Sequence, residues 1–115
     1  MKILVIDNKE SRHSFHYDLL TNEFPNDDIK IVENLDDEKL KKSNYDVIIV
    51  HRNNPENDII ERNEHIGRLR IIFSGGLPKY EKHSGSDHYV PYSQLKNKIK
   101  SIVTEYVKNT LADAA

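Results

Sequence analysis

The run Ile3-Leu4-Val5-Ile6, closed at once by Asp7-Asn8, constrains the chain more than any other feature. Consecutive aliphatic residues, mostly β-branched, cannot alternate between core and water, so they predict a short strand buried on both faces at the centre of a sheet. A second run of the same kind, Val47-Ile48-Ile49-Val50, leads into His51-Arg52-Asn53-Asn54-Pro55. Strands covered on both sides need helices above and below, and right-handed crossovers then make the sheet parallel.

The remaining segments fill that plan. Phe15, Leu19, Leu20 and Phe24 recur at helical spacing before the breaker Pro25-Asn26, which predicts a first helix from about residue 11 to 24. Ile29 and Ile31 alternate with Lys30 before Val32, as in a more exposed strand. Asp36 is placed to cap a short helix, with acids at its front and Lys41-Lys42 at its back; Ile59, Ile60 and Ile66 suggest another helix that Gly67 ends. Leu69 to Phe73 reads as a fourth strand.

Between Ser74 and His88 alternation would supply a helix, but glycines, Pro78 and the single aliphatic Leu77 predict a loop. A short strand follows from about Asp87 to Val90. Ser93 is then placed to cap a long helix whose apolar face is Leu95, Ile99, Ile102, Val103, Tyr106 and Val107, with a tail that frays over about residues 109–115.

The expected fold is a single α/β domain over residues 1–115: a flavodoxin-like three-layer sandwich on a five-stranded parallel sheet of order 2-1-3-4-5, with helix four replaced by a loop. In that order the connections diverge after strands one and three, leaving a crevice at their carboxyl ends. Asp7, Asn8 and His51 are expected to line it.

Composition narrows the function. The chain has no cysteine, which excludes disulfides, thiolate catalysis and cysteine-ligated zinc. A net charge of −2 offers no general attraction to nucleic acid or anionic lipid. No apolar run approaches the ~20 residues of a membrane span, and the N-terminal segment lacks the features of a secretory leader. These observations lead us to expect a cytoplasmic protein whose partner is another protein or a small molecule.

Taken together, the strand ends resemble the receiver (CheY-like) domains of bacterial two-component response regulators. ILVIDN matches the end of the family's first strand, YDVIIVHRNNPEND follows the frame of its third with Pro55 and Asp58 in register, Ser74-Gly75 matches its fourth, and GSDHYVPYS its fifth. The resemblance covers nearly the whole chain and implies a family pocket at Asp7, Asn8, His51, Asn53, Ser74, Gly75 and Tyr92. It also implies that Tyr89 falls on a switch aromatic beside the partner-docking surface of strand five and helix five.

The departures lie in the chemistry. Asn8 replaces one of the two acids that help hold magnesium in the family, His51 replaces the phosphoacceptor aspartate, and Tyr92 replaces a lysine. A phosphoryl acceptor needs a carboxylate nucleophile beside a hard cation, and Asp7 is the one carboxylate of three that remains. The resemblance therefore implies a pseudo-receiver: neither an enzyme nor phosphorylated, needing no cofactor or metal, and acting on a protein partner or a second copy of itself through Tyr89, Tyr92 and Lys96.

Several alternatives remain. His51 is expected to pair with Asp7 in the vacated site. A ligand- or metal-sensing module would reuse the same crevice for an anion, a nucleotide or a transition metal, with His83 or His88 converging on His51. Ser74, His51 and Asp7 are the residue types of a hydrolytic triad, though no nucleophile elbow exposes the serine. His13, His16 and His65 read as solvated surface, and Ser74-Gly75-Gly76 as a turn. The chain could also be the receiver-like part of a longer regulator.

Overall fold

The computed structural model describes residues 1–33, 45–51, 69–82 and 87–114. The expected helices over residues 36–42 and 59–66, and Asn53, His65 and His83, lie outside these residues.

The strands are β1 (Lys2–Ile6), β2 (Asp28–Val32), β3 (Val47–His51), β4 (Leu69–Ser74), β5 (Glu81–Lys82) and β6 (Asp87–Pro91). They form one sheet of order β2-β1-β3-β4-β6-β5. All pairings are parallel except that of β5 with β6. The parallel part has the expected flavodoxin-like order 2-1-3-4-5, with β6 as its fifth member. The two-residue β5 is an addition that the sequence pattern did not indicate, hydrogen-bonded along the outer edge of β6. Among the described residues between β4 and β5 there is no helix.

Burial follows the sequence pattern closely. Ile3 to Ile6 and Val47 to Val50 are inaccessible or nearly so, and β1 and β3 have strand neighbours on each side. β2, at the edge, alternates between exposed and half-buried residues. Each fully buried Val, Leu or Ile contributes about 1.5–3 kcal/mol, so these runs are the main stabilisation of the sheet. The two faces carry separate cores. On one, Ile3, Val5, Val47, Ile49, Ile71, Phe73 and Val90 pack with helix residues; on the other, Leu4, Ile6, Ile48, Val50 and Ile72 pack with Val32, Tyr45 and Tyr89.

The first face is covered by α1 (His13–Glu23) and α2 (Leu95–Ala114). Leu19 and Leu20 enter the core from α1, and Leu95, Ile99, Ile102 and Val103 from α2, as the helical spacing required. Both helices are preceded by a 3-10 turn, Glu10–Arg12 and Tyr92–Gln94. Ser93 therefore sits inside a turn and does not cap α2; Pro91 holds the position before that turn. A proline at the strand end, lacking an N–H, leaves the ladder and fixes φ for the turn that follows. The backbone of α2 stays helical through Ala114, beyond residue 109 where the composition suggested fraying.

Candidate functional site

Asp7 follows β1, and its amide still bonds the Val32 carbonyl at 3.0 Å, so the sheet ladder holds its main chain. Its Oδ1 accepts the Lys9 amide at 3.0 Å, a side-chain turn of the kind aspartate forms two residues on. The Arg12 amide then bonds the Lys9 carbonyl at 3.0 Å, closing the 3-10 turn. This folds the chain back over its own strand end. Arg12 and His16, four residues apart, share the helical face that returns to Asp7.

The carboxylate is saturated as a result. Oδ1 accepts from Arg12 Nη2 at 2.6 Å besides Lys9 N, and Oδ2 accepts from Arg12 Nε at 2.7 Å and His16 Nε2 at 2.9 Å. Four donors meet the roughly four lone-pair sites of a carboxylate. His13 Nε2 donates to the Asp7 carbonyl oxygen at 2.7 Å. Asp7 is fully buried and His16 is 1% exposed. Burial by itself would raise the Asp7 carboxyl; the hydrogen bonds from His16, Arg12 and Lys9, with the charge of Arg12, outweigh it and hold the group well below the usual carboxylate range.

Two expectations are corrected here. Asp7 pairs with Arg12 and His16 and not with His51, and His13 and His16 are not solvated surface. The physical reason is reach: the 3-10 turn Glu10–Arg12 and the helix that begins at His13, six residues after Asp7, return Arg12 and His16 to the carboxylate. A sequence signal existed. α1 has no acid in its first turn, while Arg12 and His13 put cationic or donor groups at the positive end of its dipole. Such groups are unfavourable there unless an anion lies beside them.

His51 ends β3, paired in register with Phe73. Its ring packs on Phe73 with centroids 5.2 Å apart, and among the described residues its buried Nδ1 has no hydrogen-bond partner. Burial first, then the charge of Arg12, pushes its imidazole down from the ordinary value, against a smaller opposing effect of Asp7. Phe73 is the hub of a ring cluster: His16 at 5.2 Å and Tyr92 at 5.8 Å also contact it, and Phe15 contacts both of these.

The other expected pocket residues are less closely joined. Asn8 and Gly75 are exposed. Ser74 is buried, with its Oγ accepting the Gly76 amide at 3.1 Å, so Ser74-Gly75-Gly76 is the expected turn. By strand alternation Ser74 belongs to the face opposite Phe73 and His51. Ser74, His51 and Asp7 are joined by no hydrogen bond and do not form a triad.

Tyr89 packs against the second core face, whereas Tyr92 packs with Phe15 and Phe73 on the first. Lys96 is exposed on α2 and lines a groove of about 390 Å³ between α1 and α2, with Asp18 and Glu23 on the opposite wall. His88, buried on β6, shares a 2.7 Å hydrogen bond between its Nδ1 and the Tyr80 hydroxyl, and Lys98 lies over the Tyr80 ring. It therefore serves the β5–β6 edge and does not approach His51, which lies two strands away.

The magnesium ion implied by the receiver resemblance does not fit these residues. A hard cation needs free carboxylate oxygen, and every lone pair of Asp7 already meets an N–H, two of them from a guanidinium. Among the described residues there is no group of three or more His, Asp or Glu side chains placed to hold a metal.

No family model matches the chain, and no curated protein matches it in sequence. Among solved structures, the solution structure of the E. coli RcsD-ABL domain is similar, with a TM-score of 0.54 at 15% identity, covering 99% of this chain and 87% of that one. At that identity the likeness concerns the fold, which is receiver-like in its parallel order. Among the described residues no helix is long and apolar enough to cross a membrane.

Proposed function

We propose that the chain is a phosphorylation-independent pseudo-receiver, a non-catalytic signalling domain that acts by binding another protein through the surface of β6 and α2. The observation that carries this reading is the closed coordination of Asp7. In a site that takes up a phosphoryl group, a carboxylate must be free to hold a cation while another attacks. Here Arg12 and His16 occupy the first carboxylate, and His51 stands where the second would be.

The resemblance of DHYVPYS to the family's fifth strand supports the choice of surface, as does the bipolar groove between α1 and α2, with acids on one wall and Lys96 on the other. A protein partner with both signs of charge would complement it, and charge complementarity would favour encounter and register more than raw affinity.

Incubation of the chain with acetyl phosphate and Mg²⁺, followed by intact-mass spectrometry, tests the reading; an unchanged mass is expected, and a phosphoryl adduct lost on mapping to Asp7 or His51 variants would refute it. The docking surface is tested separately by affinity capture with the wild-type chain and Lys96→Glu. Charge reversal is expected to release the specifically captured protein.

A further inference from the structure

The mouth of the crevice holds more donors than acceptors, and the imbalance is local. Asp7 has no lone pair to spare. Around the Phe73 hub lie three groups whose hydrogen-bonding capacity is unused among the described residues. His51 Nδ1 is buried without a partner. The Tyr92 hydroxyl makes no hydrogen bond, although its ring is held between Phe15 and Phe73 at 5.4 and 5.8 Å. Arg12 spends Nε and Nη2 on Asp7, which leaves Nη1.

These groups are near one another. His51 and Tyr92 both touch Phe73, and the charge of Arg12 acts on each of them. Arg12 is 20% exposed, so the cluster reaches solvent along its guanidinium edge. A buried polar atom without a partner is costly, and a cationic set of donors without an acceptor is complementary to an anion.

We infer that Arg12, His51 and Tyr92 form a binding site for a small tetrahedral oxyanion of the phosphate class, held non-covalently at the ends of β1, β3 and β6. The guanidinium supplies charge and its free Nη1 donors, the tyrosine a hydroxyl, and the imidazole an Nδ1–H in the tautomer that donates from that nitrogen. Asp7 orients Arg12 and is not itself a ligand. The site does not depend on partner binding at β6 and α2, so either can fail while the other stands.

The test is a titration of the full chain with inorganic phosphate, at constant pH and with ionic strength matched by sodium chloride, followed by amide and histidine-ring NMR shifts. Saturable shifts at the His51 ring and around Arg12 and Tyr92 are expected. His51→Phe keeps a ring against Phe73 and Tyr92→Phe keeps its packing. Each is expected to weaken phosphate binding roughly tenfold or more, the effect of losing a hydrogen bond to a charged group. Shifts that rise linearly without saturation, that centre on the α2 lysines, or that persist at the same affinity in both well-folded variants would overturn the site.

Discussion

Asp7 and His51 stand at the ends of neighbouring parallel strands, on the same face of the sheet, and both bury polar atoms, yet their surroundings are opposite. Among the described residues Asp7 meets four donors and His51 Nδ1 meets no partner. On the Asp7 side the cause is the segment that follows the strand. The turn after β1 bends back on its own strand and leads into a helix that returns Arg12 and His16 to the carboxylate. A buried charge is tolerated when its partners come from the adjoining segment, where little chain entropy opposes the meeting. The crevice is therefore closed at the end of β1 by local chain geometry.

That contrast can be broken most forcefully at Asp7. Asp7→Ala leaves a guanidinium and an imidazole buried without their anion, and urea denaturation is expected to show a loss of about 3–5 kcal/mol. A loss below about 1 kcal/mol would mean that water or another acid replaces the carboxylate. His16→Leu removes one of the four donors while keeping bulk beside Phe73; a loss of about 1–3 kcal/mol is expected by the same measurement.

The pH dependence sharpens the comparison because both groups are depressed in the folded chain. The unfolded chain then takes up each proton first. The contribution of Asp7 is present above about pH 4, the ordinary carboxyl range, and is lost as pH falls below it. That of His51 is present above about pH 6.5 and declines as pH falls from there toward its lower folded value. Thermal unfolding between pH 7.5 and 5 should accordingly be flatter in His51→Leu than in the wild type, while the steep loss in stronger acid persists. At neutral pH the same substitution is expected to be neutral or slightly stabilising, since it removes an unsatisfied buried nitrogen.

A smaller effect is expected where the carboxylate of a similar fork is more exposed. Arg70 bonds Asp87 at 2.6 and 3.1 Å across β4 and β6, with both side chains partly accessible. With its carboxylate reached by solvent, this pair loses less on truncation than the sealed Asp7 site, so Asp87→Asn is expected to cost less than Asp7→Ala in the same urea measurement. A loss comparable to Asp7→Ala would show that fork geometry, and not burial, sets the strength of these pairs.

The strands were legible because continuous aliphatic runs have few alternatives: Ile3 to Ile6 and Val47 to Val50 had to be covered on both sides. The packing faces of α1 and α2 followed from spacing in the same way. The two-residue β5 was not legible, since two polar residues carry no period and pair only because β6 offers an open edge. At the crevice, Asp7 and His51 were recognised as strand-end residues but their pairing was not. Side chains on adjacent strands are near neighbours in a topology diagram, whereas the donors to Asp7 come from the segment that follows it.

By itself the sequence determined the parallel order of the sheet, the helical faces and the lack of a second and third carboxylate at the strand ends, because apolar periodicity and residue identity are local properties. Only the tertiary structure decided that Arg12 and His16 complete Asp7 while His51 Nδ1 finds no partner among the described residues. Hydrogen bonds depend on direction and on distances of a few tenths of an ångström, and those arise from how a turn aims a helix rather than from the order of residues within it.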